Sequence, residues 1–200
     1  MVRQKKEREF LTEDEIKALL RCPDKRTPEG KRDYALLLAL LETGLRKAEI
    51  CSLKVGDIKE YRNQKVIDVL GKGKRHRRIA LSNGVQEAIG LYLKASGNHL
   101  EPNSPIFFTL GKHGPHKQRG LTRCAVDCVV SKYAKMALIK KRISPHTLRH
   151  SFAVSLLDRG VDLRTVQDLM GHSSIRTTEQ YLHTNDDKKI NAINSLNFAG

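Results

Sequence analysis

The fold is organised around one apolar stretch, Tyr34-Ala35-Leu36-Leu37-Leu38-Ala39-Leu40-Leu41, which has no polar face at helical spacing. A helix that is apolar all round is buried, so the sequence predicts that this segment lies in the centre of the domain. Gly44 is predicted to end the helix. Another helix then begins near Arg46 and Glu49, which places Arg46 beside the core.

The segments before and after this apolar stretch predict the start of a first helix and a change from helical to β-type patterning. Residues 12–15, Thr-Glu-Asp-Glu, form a capping box that begins a first helix, after a basic leader over residues 1–11 that we expect to be flexible. Residues 66–70 and 78–81 have β-type composition and enclose the turn segment of residues 71–75. They predict a small antiparallel hairpin with a cationic tip.

Helical spacing returns over residues 85–93 and 125–137. Ser144 and Pro145 form an N-cap and first helical position, and Asp162 caps another helix that stops at Gly171. The sequence therefore predicts one domain that is mainly α with a small antiparallel β-sheet, an α+β fold.

The charge balance indicates the class of partner. The 200 residues include 37 Lys and Arg against 22 Asp and Glu, a formal net charge of +15. Such a balance favours a polyanion, and no apolar run approaches the roughly 20 residues of a membrane-spanning helix. The polar N-terminal residues also lack the apolar centre of a secretory signal. We expect a cytoplasmic protein that binds nucleic acid and no membrane.

The cysteines allow one alternative. Disulfides are not expected in a reducing cytosol. A zinc site would join Cys124 and Cys128 to His113 and His116, but the Cys-x3-Cys spacing in a helical segment favours a packed helix face.

The residues with catalytic potential are a tyrosine and a set of cationic donors. Tyr181 follows His172 closely, and His146 and Arg149 are three residues apart, on one helix face. A phenol with a pKa of about 10 needs such donors to attack a phosphate near neutrality. No acidic pair adjoins these residues, so the protein rather than a metal is expected to supply the positive charge.

Each residue also has a structural interpretation when taken alone. Arg46 has Glu49 as an obvious ion-pair partner, a histidine at a helix start is often a cap, and a single tyrosine is usually packed in a core. The joint pattern favours chemistry.

The joint pattern resembles the tyrosine site-specific recombinases, the phage integrase family, over residues 10–190. The segment TGLRKAEI, residues 43–50, matches the family's first-arginine motif, and GKGK, residues 71–74, resembles its hairpin with the catalytic lysine. The segment HTLRH, residues 146–150, resembles the His-x-x-Arg box, and LMGHSS, residues 169–174, resembles the segment with the last histidine. The resemblance implies that the catalytic residues are Arg46, Lys72, His146, Arg149, His172 and Tyr181. Glu49, Lys74 and His150 would support them, with Lys74 as the second choice for the catalytic lysine.

The family's mechanism is implied with its residues. Tyr181 would attack a phosphodiester of double-stranded DNA to give a 3′-phosphotyrosyl intermediate and a free 5′-hydroxyl, without metal, ATP or other cofactor. The positively charged residues expected to hold the DNA backbone are Lys74, Arg75, Arg77, Arg78, Lys140, Lys141 and Arg142.

The resemblance also implies a domain organisation and an assembly. Residues 12–200 would form the catalytic domain. Most members carry an additional helical DNA-binding domain before it, and this chain is expected to depart from them, either as an excised catalytic domain or as a naturally short member. Family members assemble as tetramers on DNA, and a bacterial nucleoid, phage or mobile-element setting is expected. A type IB topoisomerase, a non-catalytic DNA-binding protein and a metal-dependent nuclease are the alternatives.

Overall fold

The computed structural model describes residues 9–70, 76–97, 101–110 and 119–171. Its centre is helix α2, Pro28–Thr43, which packs against α4, Asn83–Ala95, and α6, Pro145–Asp158. Leu36, Leu37 and Leu40 of α2 are completely buried. The prediction of a central helix from residues 34–41 is confirmed.

The ends of α2 follow from local chemistry. The Thr27 side chain accepts a hydrogen bond from the Gly30 N–H, and Pro28 occupies the first turn, where its missing N–H costs nothing. Gly44 ends the helix in the left-handed region at φ 59°, and a Cβ there would lie 2.4 Å from the Phe152 ring. Only glycine fits this close approach of α2 and α6.

Four other helices complete the described α-structure: α1, Glu13–Arg21, α3, Lys47–Ser52, α5, Arg123–Met136, and α7, Leu163–Met170. The predicted caps Thr12, Ser144 and Asp162 each accept a backbone hydrogen bond at a helix start. Helix α7 packs on α6 through a small cluster that contains Phe152, Val166 and Met170.

Along the chain, the segment between α3 and α4 forms a three-stranded antiparallel sheet. Its strands are β1, Ile58–Tyr61, β2, Gln64–Leu70, and β3, His76–Ala80, in the order β1-β2-β3. The predicted hairpin is confirmed, with Ile67 paired to Ile79. Strand β1 was not predicted. It is joined to β2 by Arg62 and Asn63, whose positive φ angles of 51° and 60° are typical of a two-residue hairpin turn.

Two sequence expectations are wrong in the described residues. The leader was expected to be flexible through residue 11, but the apolar side chain of Leu11 is buried in the main core and its N–H donates to the Ser151 hydroxyl at 2.8 Å. Cys124 and Cys128 are exposed on α5 instead of packed, because Val126, Val129 and Val130 form its buried side.

The mainly α architecture with a small antiparallel sheet confirms the predicted fold class. Within the described ranges, none of the helices has the length and apolar character needed to cross a bilayer.

Candidate active site

The described part of the site lies where the start of α3, strand β3, helix α6 and the end of α7 meet. Three arginines converge there from segments far apart in the sequence, and one carboxylate lies between two of them. Local structure at each segment explains how each arginine is positioned.

Arg46 is the N-cap residue of α3, and its place is fixed by Glu49 one turn later. The Arg46 N–H donates to Glu49 Oε2 at 2.7 Å, and its guanidinium donates to Glu49 Oε1 at 2.9 Å. A second guanidinium nitrogen donates to the Gly171 carbonyl at 2.9 Å. The side chain remains 37% exposed, so its cationic group is accessible to a ligand.

Arg149 lies on the buried side of α6. Its two terminal nitrogens donate to the carbonyl of Gly44, at the end of α2, and to that of Met170, the last residue of α7. Only 4% of the residue is exposed. Arg149 therefore joins α6 to the ends of α2 and α7, and its acceptor Met170 immediately precedes Gly171, the acceptor of Arg46.

Arg77 projects from β3 toward the same place. It donates to both Glu49 oxygens, at 3.0 and 2.6 Å, and its Nε donates to the Leu169 carbonyl at 3.0 Å. Its side chain is 8% exposed. Arg77 is also among the residues expected to hold the DNA backbone, and here its guanidinium donates to Glu49 and to the Leu169 carbonyl within the protein.

The end of α7 thus presents three consecutive carbonyls, each of which accepts from a different arginine: Leu169 from Arg77, Met170 from Arg149 and Gly171 from Arg46. The last carbonyls of a helix have no partner within it and carry a partial negative charge, so cationic donors satisfy and stabilise them. The backbone of residues 169–171 is therefore held by arginines from three other elements.

Three of the other residues predicted to act on the phosphate or to contact DNA are exposed in the structure. His146, in the first turn of α6, is exposed, as are Lys140 and Arg142 in the segment that precedes it. These three remain candidates for contact with DNA.

Lys141 and Arg78 fit that role less well. Lys141 pairs with Glu15 at 2.6 Å and donates to the Phe10 carbonyl. Arg78 pairs with Asp68 at 2.9 Å and lies over the Tyr61 ring. Each would have to give up an internal partner to contact DNA.

His150 of α6 is buried, and its ring and that of Phe10 form an edge-to-face pair with 6.0 Å between centroids. Five predicted site residues lie outside the described residues: Lys72, Lys74, Arg75, His172 and Tyr181. The structure brings together Arg46, Glu49 and Arg149 of the predicted set.

The electrostatics of the site centre on Glu49. Burial alone would raise the pKa of its carboxyl, but hydrogen bonds from the Arg77 guanidinium and the Arg46 N–H, with the nearby positive charge of Arg77, outweigh burial and lower the pKa to about 2. Glu49 is therefore an anion throughout the physiological range. The set Arg46, Glu49 and Arg77 carries a net charge of +1.

This lowered pKa predicts a specific loss of stability in acid. The unfolded carboxyl protonates near its ordinary pKa of 4.5 and the folded one only near about 2. The stabilising contribution is thus complete above pH 4.5 and is lost as pH falls to about 2, by about 2–3 kcal/mol. Denaturant unfolding from pH 7 to pH 2 should show the free-energy gap between wild type and Glu49→Gln narrowing over that window. A gap independent of pH would contradict the assignment.

Comparison with known proteins identifies the family. The profile of the phage integrase family matches residues 9–188. The chain belongs to the phage integrase family. The resemblance found in the sequence motifs is confirmed.

Relatives within this family are named tyrosine recombinases. A tyrosine recombinase of Pseudothermotoga lettingae is 40% identical over 188 residues, which cover 94% of this chain and 60% of that protein. Tyrosine recombinase XerD of Listeria monocytogenes is 40% identical over 177 residues, covering 86% of this chain and 57% of that protein. This integrase-family chain therefore spans somewhat more than half the length of these relatives.

Solved structures show the same fold. The crystal structure of XerA recombinase matches with a TM-score of 0.76 at 30% identity, covering 94% of this chain and 64% of that one. XerH recombinase in a post-cleavage complex with its palindromic difH substrate matches with a TM-score of 0.78 at 25% identity, covering 94% of this chain and 53% of that one.

Proposed function

We propose that this chain is the catalytic domain of a site-specific DNA recombinase that cleaves and rejoins strands through a 3′-phosphotyrosyl intermediate. The observation that carries the proposal is the convergence of Arg46 and Arg149 on adjacent carbonyls at the end of α7, one residue before His172. Two guanidinium groups held side by side on a chain with a net charge of +15 suit one phosphodiester between them. The named tyrosine recombinases among its relatives support the same chemistry.

In this mechanism the arginines stabilise charge and do not transfer protons. Arg46 and Arg149 would donate to the two non-bridging oxygens, where negative charge grows as the phosphorus becomes five-coordinate. Arg149 is already fixed by its bonds to Gly44 and Met170, so little reorganisation is needed when the phosphate arrives. Arg46, the more exposed of the two, completes the pair.

The remaining roles follow the family motifs. The Tyr181 oxygen would attack phosphorus and lose its proton to His146 or His172, while the bond from phosphorus to the 5′-oxygen breaks. Lys72 would protonate the departing 5′-oxygen, with Lys74 as the alternative. The reverse attack by another 5′-hydroxyl would rejoin the strand, so the phosphoester bond energy is conserved and no ATP is consumed.

The proposed partners are double-stranded DNA and further copies of the protein on that DNA. Three exposed residues lie just before α6 or in its first turn, and we propose that they contact the phosphates beside the cleavage point: Lys140, Arg142 and His146. Assembly as a tetramer and a nucleoid, phage or mobile-element setting are proposed with the family. The structurally similar XerH site-specific recombinase was solved bound to its difH substrate, which supports DNA as the partner of this chain.

Covalent trapping tests the function without knowledge of the target site. We expect the protein, mixed with a library of nicked duplexes with randomised arms, to form adducts that survive denaturant, because the short strand beyond the nick diffuses away and prevents rejoining. Sequencing the attached strands identifies the preferred duplex. Adducts linked at a 5′-phosphate, or none at all from the library, would overturn the proposal.

Cleavage of the selected duplex is expected to be unchanged in excess EDTA, because the arginines and lysine supply the charge that a metal would otherwise bring. The rate of adduct formation with and without EDTA measures this directly. Loss of cleavage that Mg²⁺ restores would favour the nuclease. Transfer of the attached strand to the 5′-hydroxyl of a second duplex separates a recombinase from a topoisomerase that only relaxes supercoils.

A further inference from the structure

We propose that Arg77 is a positioning residue of the active site: it neutralises Glu49 and holds the end of α7, and so leaves the positive charge of Arg46 available to the phosphate. The proposal rests on the function proposed above, because it takes Arg46 as a phosphate ligand. Arg77 itself directs its donors to Glu49 and to the Leu169 carbonyl.

The hydrogen bonds around Glu49 divide its two oxygens evenly. Oε1 accepts from the guanidinium groups of Arg46 and Arg77, at 2.9 and 3.0 Å. Oε2 accepts from the Arg46 N–H and from Arg77, at 2.7 and 2.6 Å. Each oxygen therefore takes one donor from each arginine, and Arg46 gives Glu49 only one of its guanidinium N–H groups.

Removing Arg77 would disturb both the geometry and the charge of this set. A buried carboxylate takes whichever donors are nearby, and the planar fork of Arg46 is able to bind it with two N–H groups. Arg46 would then turn from the phosphate toward Glu49. The net charge of the remaining pair would fall from +1 to zero, which weakens the attraction for an anion.

The third bond of Arg77 ties this pair to α7. Its Nε donates to the Leu169 carbonyl, and the guanidinium lies directly against Gly171, where a Cβ would be 3.1 Å from a terminal nitrogen. Gly171 has φ 60°, so the chain turns at this residue, close to Arg77. Arg77 thereby connects the strand after residues 71–75, the start of α3 and the last turn of α7.

The first test needs no DNA. Arg77→Lys keeps one charge but cannot bind both Glu49 oxygens and the Leu169 carbonyl at once. We expect amide hydrogen exchange at Met170 and Gly171 to become about tenfold faster, as for loss of one charged hydrogen bond at a helix end. Unchanged exchange there would overturn the proposed hold on α7.

Arg32→Lys is the matched control. Arg32 is likewise buried, pairs with Asp33 at 2.7 Å and donates to the Phe108 carbonyl at 3.4 Å, and neither partner belongs to α7. Arg32→Lys should lower the free energy of unfolding, because it also weakens a buried ion pair. After correction for that loss of global stability, amide exchange at Met170 and Gly171 should equal that of wild type. Equal acceleration in both variants would mean that Arg77 contributes only general stability.

The second test measures single-turnover cleavage of the duplex selected from the library. Arg77→Lys should slow cleavage at saturating protein by about 10²-fold with little change in DNA affinity, as when a catalytic group is slightly misplaced. In an Arg46→Ala background the same change should have little further effect, because Arg77 acts through Arg46. Full, additive slowing in that background would overturn the proposal.

The two tests separate failure of this proposal from failure of the proposed function. If wild type forms no adduct, the recombinase function fails while hydrogen exchange still decides whether Arg77 holds α7. If wild type cleaves and Arg77→Lys cleaves equally fast, the recombinase function stands and the role of Arg77 is refuted.

Discussion

Replacing Tyr181 by phenylalanine is expected to abolish covalent attachment to DNA while binding remains nearly intact. The change removes only the attacking oxygen and adds no bulk, and phenylalanine has no oxygen that could form the phosphotyrosyl bond. Denaturing electrophoresis of the protein with the selected nicked duplex measures the adduct, and a gel-shift assay measures binding.

Tyr61→Phe is a suitable control, since Tyr61 is 43% exposed on β1 and its ring lies beneath Arg78 at 4.2 Å. Phenylalanine keeps that ring contact, so the control should form adduct at the wild-type rate. A denaturant-resistant adduct in Tyr181→Phe would falsify the choice of nucleophile.

Lys72→Ala is expected to slow cleavage of ordinary DNA by roughly 10²- to 10⁴-fold, the usual contribution of a general acid. An alkoxide leaves poorly unless it is protonated in the transition state. A sulfur at the same 5′-bridging position leaves well without that proton. The variant should therefore regain most of its rate on a duplex with a bridging 5′-sulfur at the cleaved bond, measured as single-turnover adduct formation.

Arg149→Ala is the contrasting variant. Arg149 bridges Gly44 and Met170 and stabilises non-bridging oxygens, so a better leaving group does not replace what it supplies. The sulfur substrate should not rescue it. Rescue of Lys74→Ala instead of Lys72→Ala would move the general acid to Lys74, and equal rescue of Arg149→Ala would show that sulfur bypasses more than proton transfer.

The parts of the fold that were predictable are those with local signals. Thr12, Ser144 and Asp162 cap helices through backbone groups within three residues, so their identity is enough to predict a helix start. The all-apolar stretch of α2 and the β-branched residues Val66, Ile67 and Val69 of β2 are local signals as well. Strand β1 was missed because Lys59 and Glu60 interrupt the alternation, as is common in an exposed edge strand.

The site was predictable in its residues but not in its contacts. The motifs indicated Arg46, Glu49 and Arg149, yet the acceptors of the two arginines lie 125 and 105 residues away at Gly171 and Gly44. Contacts at such separations depend on how the helices pack, which spacing within one motif cannot specify.

The role of Arg77 was missed although the sequence held a signal for it. In β3 the odd positions 77 and 79 share one face, and Ile79 belongs to the core, so Arg77 had to point inward beside it while Arg78 pointed outward. The prediction that Arg77 and Arg78 both hold the DNA backbone takes no account of this alternation. An inward-facing arginine in a strand indicates a buried carboxylate partner, here Glu49.

The row of carbonyls at the end of α7 has a consequence for how this segment can vary. Because the arginines bind main-chain oxygens, exposed side chains such as Asp168 can be exchanged without loss of these contacts. Inserting or deleting one residue between Asp162 and Gly171 would rotate the final turn by about 100° and present every arginine with the wrong oxygen. The segment therefore tolerates substitutions at its exposed positions but does not tolerate a change in length.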